Sequence, residues 1–355
     1  MVGDLTSHEP APKGWSRLFQ PGKMSIGLAF PIESYAGCTP SMQRQIERAR
    51  TAEALGFAAL WARDVPLLDP QFGDVGQIYD PWIWLSTIAA HTTEVALATG
   101  SIILPLRHPI HTAKSAASLD VLSGERLVLG VGSGDRPIEF TAFGFDHSRR
   151  GERFRDVYLS TRAALGGCVL ASETTLTGTS QATLLPLPRE RRLPMLVTGR
   201  SQQTVDWIAV HAEGWLTYPR APAVQAMAVR EWANAVLRAG GVDWKPVAQS
   251  LYVDLLADAA ATPVPIHLGY RLGRFALIEL LQALQAAGIN HVYLNLRFSS
   301  RPIDDVIQEI GLEVLPLFGG AAVSERGLLL SRRILVRGEA NIEMDTSGES
   351  ANLNA

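Results

Sequence analysis

Arg63 and Asp64 stand side by side in the stretch WARDVP, directly after the apolar run GFAAL and before a loop rich in Asp, Pro and Gly. Opposite charges at the end of a buried strand have two uses. They can brace the loop as an ion pair, or Arg63 can hold negative charge at a reacting centre while Asp64 orients it. Further along, TGRSQQTVDW (198–207) supplies small residues and hydroxyls where a strand turns into a helix. Small residues let the backbone approach a ligand, and Ser201 and Thr204 put hydroxyls beside the free amides of a helix start, which is how helix N-termini hold phosphate. Ser201 is equally suited to capping the helix. The stretch LATGSIILPLRHP (97–109) leaves its strand through Gly100 and Ser101. Close approach to a flat ligand explains that glycine, and so does a β-bulge. Arg107, His108 and His111 follow, but two histidines three apart lack a third ligand at metal-binding spacing, so no metal is expected. GVGSGDRP (130–137) is glycine-rich, yet it has neither the lysine of a P-loop nor the spacing of a dinucleotide fingerprint. HLGYRLGRFALIELL (267–281) carries His267, Arg271 and Arg274. An arginine at a helix start opposes the macrodipole and argues for a further partner, a substrate anion among the candidates.

The elements that must position these residues alternate along the chain. SIGLAF (25–30) reads as a first strand, followed by a helix over Pro40–Leu55 closed by Gly56 in the position that tolerates positive φ. FAALW is the second strand. Asp80-Pro81 supplies an N-cap and a first-turn proline for a helix through His91. EVALATGSIIL, HTAKSAASLDVLS stopped by Gly124, RLVLGVG and RRGERFRDVYLSTRAAL continue the pattern. An irregular interval, 166–194, reads as a short hairpin insertion after helix four. The alternation resumes with PMLVTG, a helix over Ser201–His211, GWLTY, a helix over Ala223–Ala239, SLYVDLLA, a helix over Leu272–Ala287, INHVYLNL and a helix over Ile303–Ile310. Alternating strand–helix units imply a parallel sheet, and eight of them imply an α/β fold of the closed (β/α)8 TIM-barrel type. A doubly wound open sheet is the alternative, but FPIESYAG is not the glycine-rich first turn it needs. Residues 1–23 read as a flexible extension, 24–320 as the barrel domain and 321–355 as a disordered tail. Chemistry in such barrels sits at the C-terminal strand ends. Arg63 and Asp64, Gly100 and Ser101, Gly132 to Asp135, Gly199 to Ser201 and Asn295 all fall there.

Composition excludes other classes. Charged residues make up 19% of the 355 and the net charge is −3, with the signs interspersed, so there is no nucleic-acid footprint. Cys38 and Cys168 are too few and too far apart for a disulfide framework. The first residues lack the apolar core of a secretory signal, and no apolar run approaches the roughly 20 residues of a membrane helix. A soluble cytoplasmic protein is the expectation.

In order and spacing, EALGFAALW, ATGSIILPLRHPIHTAKSAASLDVLSGERLVLGVGSGD, FGF…RRGERF and LPMLVTGRSQQTVDWIA resemble the bacterial luciferase-like flavin-dependent monooxygenases over about residues 24–318. RDVPLLDPQFGDVGQIYDPW and GDRPIEFTAFG resemble a luciferase-type oxidoreductase subgroup with this RDVP loop. The resemblance implies a non-prolyl cis peptide against the isoalloxazine ring at Gly100-Ser101. It implies Gly132 and Ser133 beside that ring, and a phosphate site at Gly199, Arg200, Ser201 and Thr204 with Arg150 as the cation. Luciferase carries a histidine after its strand-two acid, as EHH; Val65 stands there in this chain, so light emission is not expected. His108, in the retained HP pair, is then the proton donor near the flavin, and Arg63 the cation facing reduced flavin or bound oxygen. Also implied are reduced FMN and O2 acting on a small organic substrate, a separate NAD(P)H:flavin reductase and a homodimer. Two alternatives stand beside this: F420-dependent hydride transfer on the same fold, and a non-catalytic flavin-binding protein.

Overall fold

Short runs of β-branched and small apolar residues become strands here because both their faces are covered. A computed structural model of the protein describes residues 11–69, 71–72, 76–167, 183–189 and 192–319. The expected disordered tail and most of the expected hairpin insertion lie outside these residues. The strands are β1 (Ser25–Ala29), β2 (Ala59–Ala62), β3 (Ala96–Thr99), β4 (Ile102–Ile103), β5 (Leu127–Gly132), β6 (Met195–Thr198), β7 (Gly214–Thr217), β8 (Val247–Leu255), β9 (Val264–Ile266), β10 (Gly269–Leu272) and β11 (His291–Asn295). The helices are α1 (Lys13–Leu18), α2 (Gln45–Ala54), α3 (Pro81–His91), α4 (Pro109–Ser123), α5 (Pro137–Ala142), α6 (Arg150–Leu165), α7 (Val205–His211), α8 (Pro222–Ala239), α9 (Arg274–Ala286) and α10 (Ile303–Glu309).

Strands β1, β2, β3, β5, β6, β7, β8 and β11 run parallel in that order, and β11 pairs with both β8 and β1, closing the barrel. The strip β4 prolongs β3 along β5. One apolar layer lies between strands and helices, and a second fills the barrel interior with Ala59, Trp61, Ala96, Ala98, Val128, Leu196, Leu216, Ala248 and Tyr293.

Several expected boundaries move for identifiable reasons. Helix α2 starts at Gln45 rather than Pro40, because the buried Glu33 carboxylate accepts from the Ser41 amide at 2.6 Å and the Met42 amide at 3.2 Å. Met42 and Arg44 are accordingly left-handed, with φ of 59° and 56°. Helix α9 starts at Arg274 rather than Leu272, because Gly269–Leu272 pairs with β8 on one side and β9 on the other.

The described part of the N-terminal extension, 11–23, is not loosely held. Helix α1 plugs the lower end of the barrel, with Leu18 and Phe19 only 1% and 4% exposed among the interior side chains. Burial of each is worth about 1.5–3 kcal/mol. Gly14 makes the approach possible, since a Cβ there would lie 2.4 Å from the Arg126 carbonyl oxygen. A hydrogen-bonded file ties this plug to the interior. Trp61 Nε1 donates to His291 Nε2 at 2.9 Å, so His291 carries its proton on Nδ1 and donates to Ser25 Oγ at 2.7 Å. Ser25 donates in turn to the Leu18 carbonyl at 2.8 Å. Burial drives the His291 pKa down to about 3, so the ring stays neutral.

Candidate active site

Side chains alternate along a strand, so the interior residues of each strand fix which residue two places on faces the mouth. Ala59 and Trp61 point to Arg63, Ala96 and Ala98 to Gly100, and Val128 to Gly130 and Gly132. Leu196 points to Thr198, Leu216 to Tyr218, Ala248 to Ser250 and Tyr252, and Tyr293 to Asn295. The mouth therefore has two unlike arcs. Over β3, β5 and β6 it is lined by Gly100, Gly132 and Thr198. Over β7, β8, β11 and β2 it is lined by Tyr218, Tyr252, Asn295 and Arg63, with Tyr293 buried one layer below in the interior.

The small arc is tightly built. The Gly100–Ser101 peptide is cis, where the resemblance places one. A Cβ on Gly100 would come within 3.0 Å of the Tyr293 hydroxyl and 3.1 Å of Trp61 Cε3, and those two rings stack at 4.4 Å and 14°. Ser101 Oγ donates to Thr198 Oγ1 at 2.8 Å, joining two strand ends, and a Cβ on Gly132 would meet that same Ser101 hydroxyl at 3.1 Å. Ser133 is buried just beyond.

The turn after β6 is left-handed at Gly199, Ser201 and Gln202, with φ of 55°, 44° and 61°. For the two non-glycine residues this costs about 1–3 kcal/mol each. Ser201 does not cap α7: its hydroxyl donates to the Thr198 carbonyl at 2.8 Å, and Thr204 caps instead by accepting from the Trp207 amide at 3.1 Å. The turn packs on the start of α6, where Gln203 Nε2 donates to the Gly151 carbonyl at 2.7 Å. Arg150, the residue before Gly151, donates through Nη1 to the His147 carbonyl at 3.1 Å. Arg150 Nε and His147 Nε2 are both buried with no hydrogen-bond partner among the described residues. Burial, then the Arg150 charge, lowers the His147 pKa. Beside the strained turn, Arg150 Nε is a donor without an acceptor, and His147 Nε2 is one in the tautomer that carries its proton there. The Arg200 side chain is spent elsewhere, on an exposed pair with Glu231 at 2.9 Å.

The RDVP pair is split. Asp64 is held not with Arg63 but by Arg107, whose Nε and Nη2 donate to its two oxygens at 2.8 and 2.7 Å, and by the Ile103 amide at 3.0 Å. Arg107 also reaches Asp80, the cap of α3, at 3.0 Å. Asp64 thus braces the loop. Arg63 turns to the mouth, where the backbone at Gly76 passes so close that a Cβ would lie 3.1 Å from its Nη1. His108 is exposed at the start of α4, its Nδ1 accepting from the Ile110 amide at 3.3 Å, which leaves the proton on Nε2. The cationic stretch after β8 finds its partners within the chain: Arg271 on Asp254 at 2.6 Å and Arg274 on Glu309 at 3.3 Å, with His267 edge-on to Tyr252. Among the described residues no group of three His, Cys, Asp or Glu is placed to hold a metal, and no helix is long and apolar enough to cross a membrane.

Tyr218, Tyr252, Tyr293 and His147 escaped the sequence reading. The tyrosines carried a signal in the strand alternation, Tyr252 and Tyr293 within β8 and β11 and Tyr218 just past β7; His147 carried none.

The sequence pattern of the luciferase-like monooxygenases matches residues 24–258. An uncharacterized protein of Mycobacterium tuberculosis is 34% identical over 216 residues, 56% of this chain and 73% of its own length. Among solved structures, the monooxygenase RslO1 from Streptomyces bottropensis superposes with a TM-score of 0.69 at 18% identity, over 83% of this chain and all of its own. An F420-dependent secondary alcohol dehydrogenase, bound to an F420–acetone adduct, superposes with a TM-score of 0.66 at 19% identity, over 85% of this chain and all of its own. At these identities the two structures show a shared fold.

Proposed function

The chain belongs to the luciferase-like monooxygenase family, and we propose that it is a flavin-dependent monooxygenase that uses reduced FMN and O2 on a small organic substrate. The observation that carries the reading is the juxtaposition of the glycine-lined arc with the orphaned Arg150 and His147 nitrogens. The glycines let Trp61, Tyr293 and Ser101 close directly on the strand ends that would back a flat ring, and the nitrogens would suit a phosphate at its tail. Reduced FMN, when bound, supplies the electrons and the oxygen chemistry.

The chain supplies placement and charge. Gly100 and Gly132 let Trp61, Tyr293 and Ser101 close on the strand ends, and Ser101, fixed by Thr198, would hold that wall rigid against the ring. Gly199, Ser201 and Arg150 hold the phosphate, while Thr204 serves as the cap that starts α7. Arg63 offers positive charge to whatever negative charge lies between the two arcs. Asp64 and Arg107 position Arg63 by fixing the loop that follows it. His108 Nε2–H is the proton donor at the rim. A separate NAD(P)H:flavin reductase, a homodimer and a cytoplasmic setting accompany the reading and rest on the resemblance alone.

F420 dependence is the second reading, favoured by the F420-dependent dehydrogenase of the same fold. Anaerobic titration with reduced FMN, oxidised FMN and F420, followed by absorbance and fluorescence, separates the two. Preference for reduced FMN and oxygen uptake on mixing with air support the first; preference for F420 establishes the second, and binding of neither cofactor refutes both.

A further inference from the structure

Most strands contribute Ala, Val or Leu to the barrel interior. The aromatic side chains there are instead gathered into one file that runs from beneath the mouth to the foot. At its upper end Trp61 and Tyr293 stack at 4.4 Å and 14°, directly under Gly100, where a Cβ would come within 3.1 Å of the indole and 3.0 Å of the phenol hydroxyl. Trp61 stacks in turn on His291 at 5.5 Å and 28°. His291 is edge-on to Phe19 at 6.3 Å, and Phe19 is edge-on to Trp15 at 4.6 Å. These are the separations of rings in contact. Trp61 is 1% exposed, whereas Trp15, on α1, is partly open to solvent.

Packing alone asks for volume, which Leu or Phe supplies. It does not ask for two indoles in series, one under the candidate site and one at the surface. Indoles and phenols are the side chains that give up a single electron most readily, and rings in contact pass electrons on. Trp61 also has a proton acceptor in place, because its Nε1–H is bonded to the bare Nε2 of His291 at 2.9 Å.

We propose that this file is an electron path that draws one-electron oxidising equivalents away from the mouth and delivers them to Trp15 at the foot. The inference rests on the flavin reading above, because reduction of O2 at the mouth without a substrate supplies the oxidant, an oxygen radical. That radical takes one electron from Trp61, across Tyr293, and the indole proton shifts to His291 Nε2. Trp15 then gives an electron to Trp61 through Phe19 and His291, and the proton returns to the indole. Trp15, left as a cation radical, loses its N–H proton to water and is restored by a hydrogen atom from a dissolved reductant of the ascorbate or thiol class. The net change is one electron from that reductant to the oxidant and one proton to water, with the chain unaltered.

The test is flash photolysis of the protein loaded with oxidised FMN, without oxygen, so that the excited flavin serves as the one-electron oxidant. In the unaltered protein an indole radical forms, and its decay quickens in proportion to added ascorbate, which reaches Trp15 but not Trp61. Trp15→Phe removes the exit, and Phe19→Leu removes a linking ring while keeping its bulk apolar. In each variant the indole radical still forms, but its decay no longer depends on ascorbate. No indole radical in the unaltered protein, decay there that ignores ascorbate, or ascorbate dependence kept in either variant overturns the proposal. A titration of the same preparations with FMN separates the two readings. Bound FMN with any of those results overturns this proposal alone, whereas no bound FMN overturns the flavin reading and this one with it.

Discussion

Glu139 on α5 is 2% exposed, its Oε1 has no hydrogen-bond partner among the described residues, and it faces Asp64 and Asp135 as well as Arg136. Burial raises its pKa from the ordinary 4.5 to about 7, with Asp64 and Asp135 adding to the rise and Arg136 opposing it. Arg136 sits 3.8 Å away and also lies over the Phe72 ring, so α5 and the loop after β2 share this buried corner. A folded-state pKa above the unfolded one means that the native protein keeps a proton the unfolded chain has lost. The corresponding stability is fully present below pH 4.5, declines as pH rises toward 7, and is gone above it. The gap is worth at most about 3 kcal/mol. Glu139→Gln keeps the shape and is neutral at every pH. Urea unfolding of both proteins from pH 4 to pH 8.5 reads the difference: equal midpoints at the acid end, with the variant the more stable by up to about 3 kcal/mol above pH 7. The opposite sign, a variant destabilised above pH 5, would show that the pair with Arg136 outweighs burial and that the reasoning is wrong.

Other outcomes follow from contacts already described. Arg150→Ala weakens FMN binding on the order of tenfold or more and leaves riboflavin binding unchanged; equal losses for both ligands would remove Arg150 from the phosphate. Asp64→Asn breaks a buried bidentate pair and costs about 3 kcal/mol, read as a lowered unfolding midpoint, and a change below about 0.5 kcal/mol would return Asp64 to the chemistry. Phe19→Ala opens the lower end of the barrel and costs about 3–5 kcal/mol in denaturant unfolding. A near-neutral result there would mean that α1 does not seal the barrel.

What the sequence shows about this molecule depends on the range of each force. Capping and turn chemistry are local, so Asp80 before Pro81, Gly56 and Gly124 mark helix ends where the structure has them. The alternation of strands and helices is a repeat, and the closed barrel follows from it. Partner choice is not local. Asp64 meets Arg107 across 43 residues, and Glu33 holds the start of α2 unwound from earlier in the loop after β1, beyond the reach of a capping motif. Ser201 and Thr204 exchange the roles that the TGRS turn suggests because left-handed backbone at 201–202 postpones the helix. The inward-facing tyrosines were readable from strand periodicity, but Tyr218, Tyr252 and Tyr293 lie 34 and 41 residues apart and gather only through closure.

The plug at the foot of the barrel bears on where this domain begins. The family pattern matches from residue 24, whereas the packing starts upstream, with Gly14 against the Arg126 backbone and Leu18 at the end of the Ser25–His291–Trp61 file. A boundary drawn by likeness would cut between a wall and its floor. A chain trimmed to Met24 would keep every strand and every candidate site residue, yet would admit water from beneath to the indole on which Tyr293 rests. The stretch that the family pattern covers and the packed barrel with its floor begin at different residues.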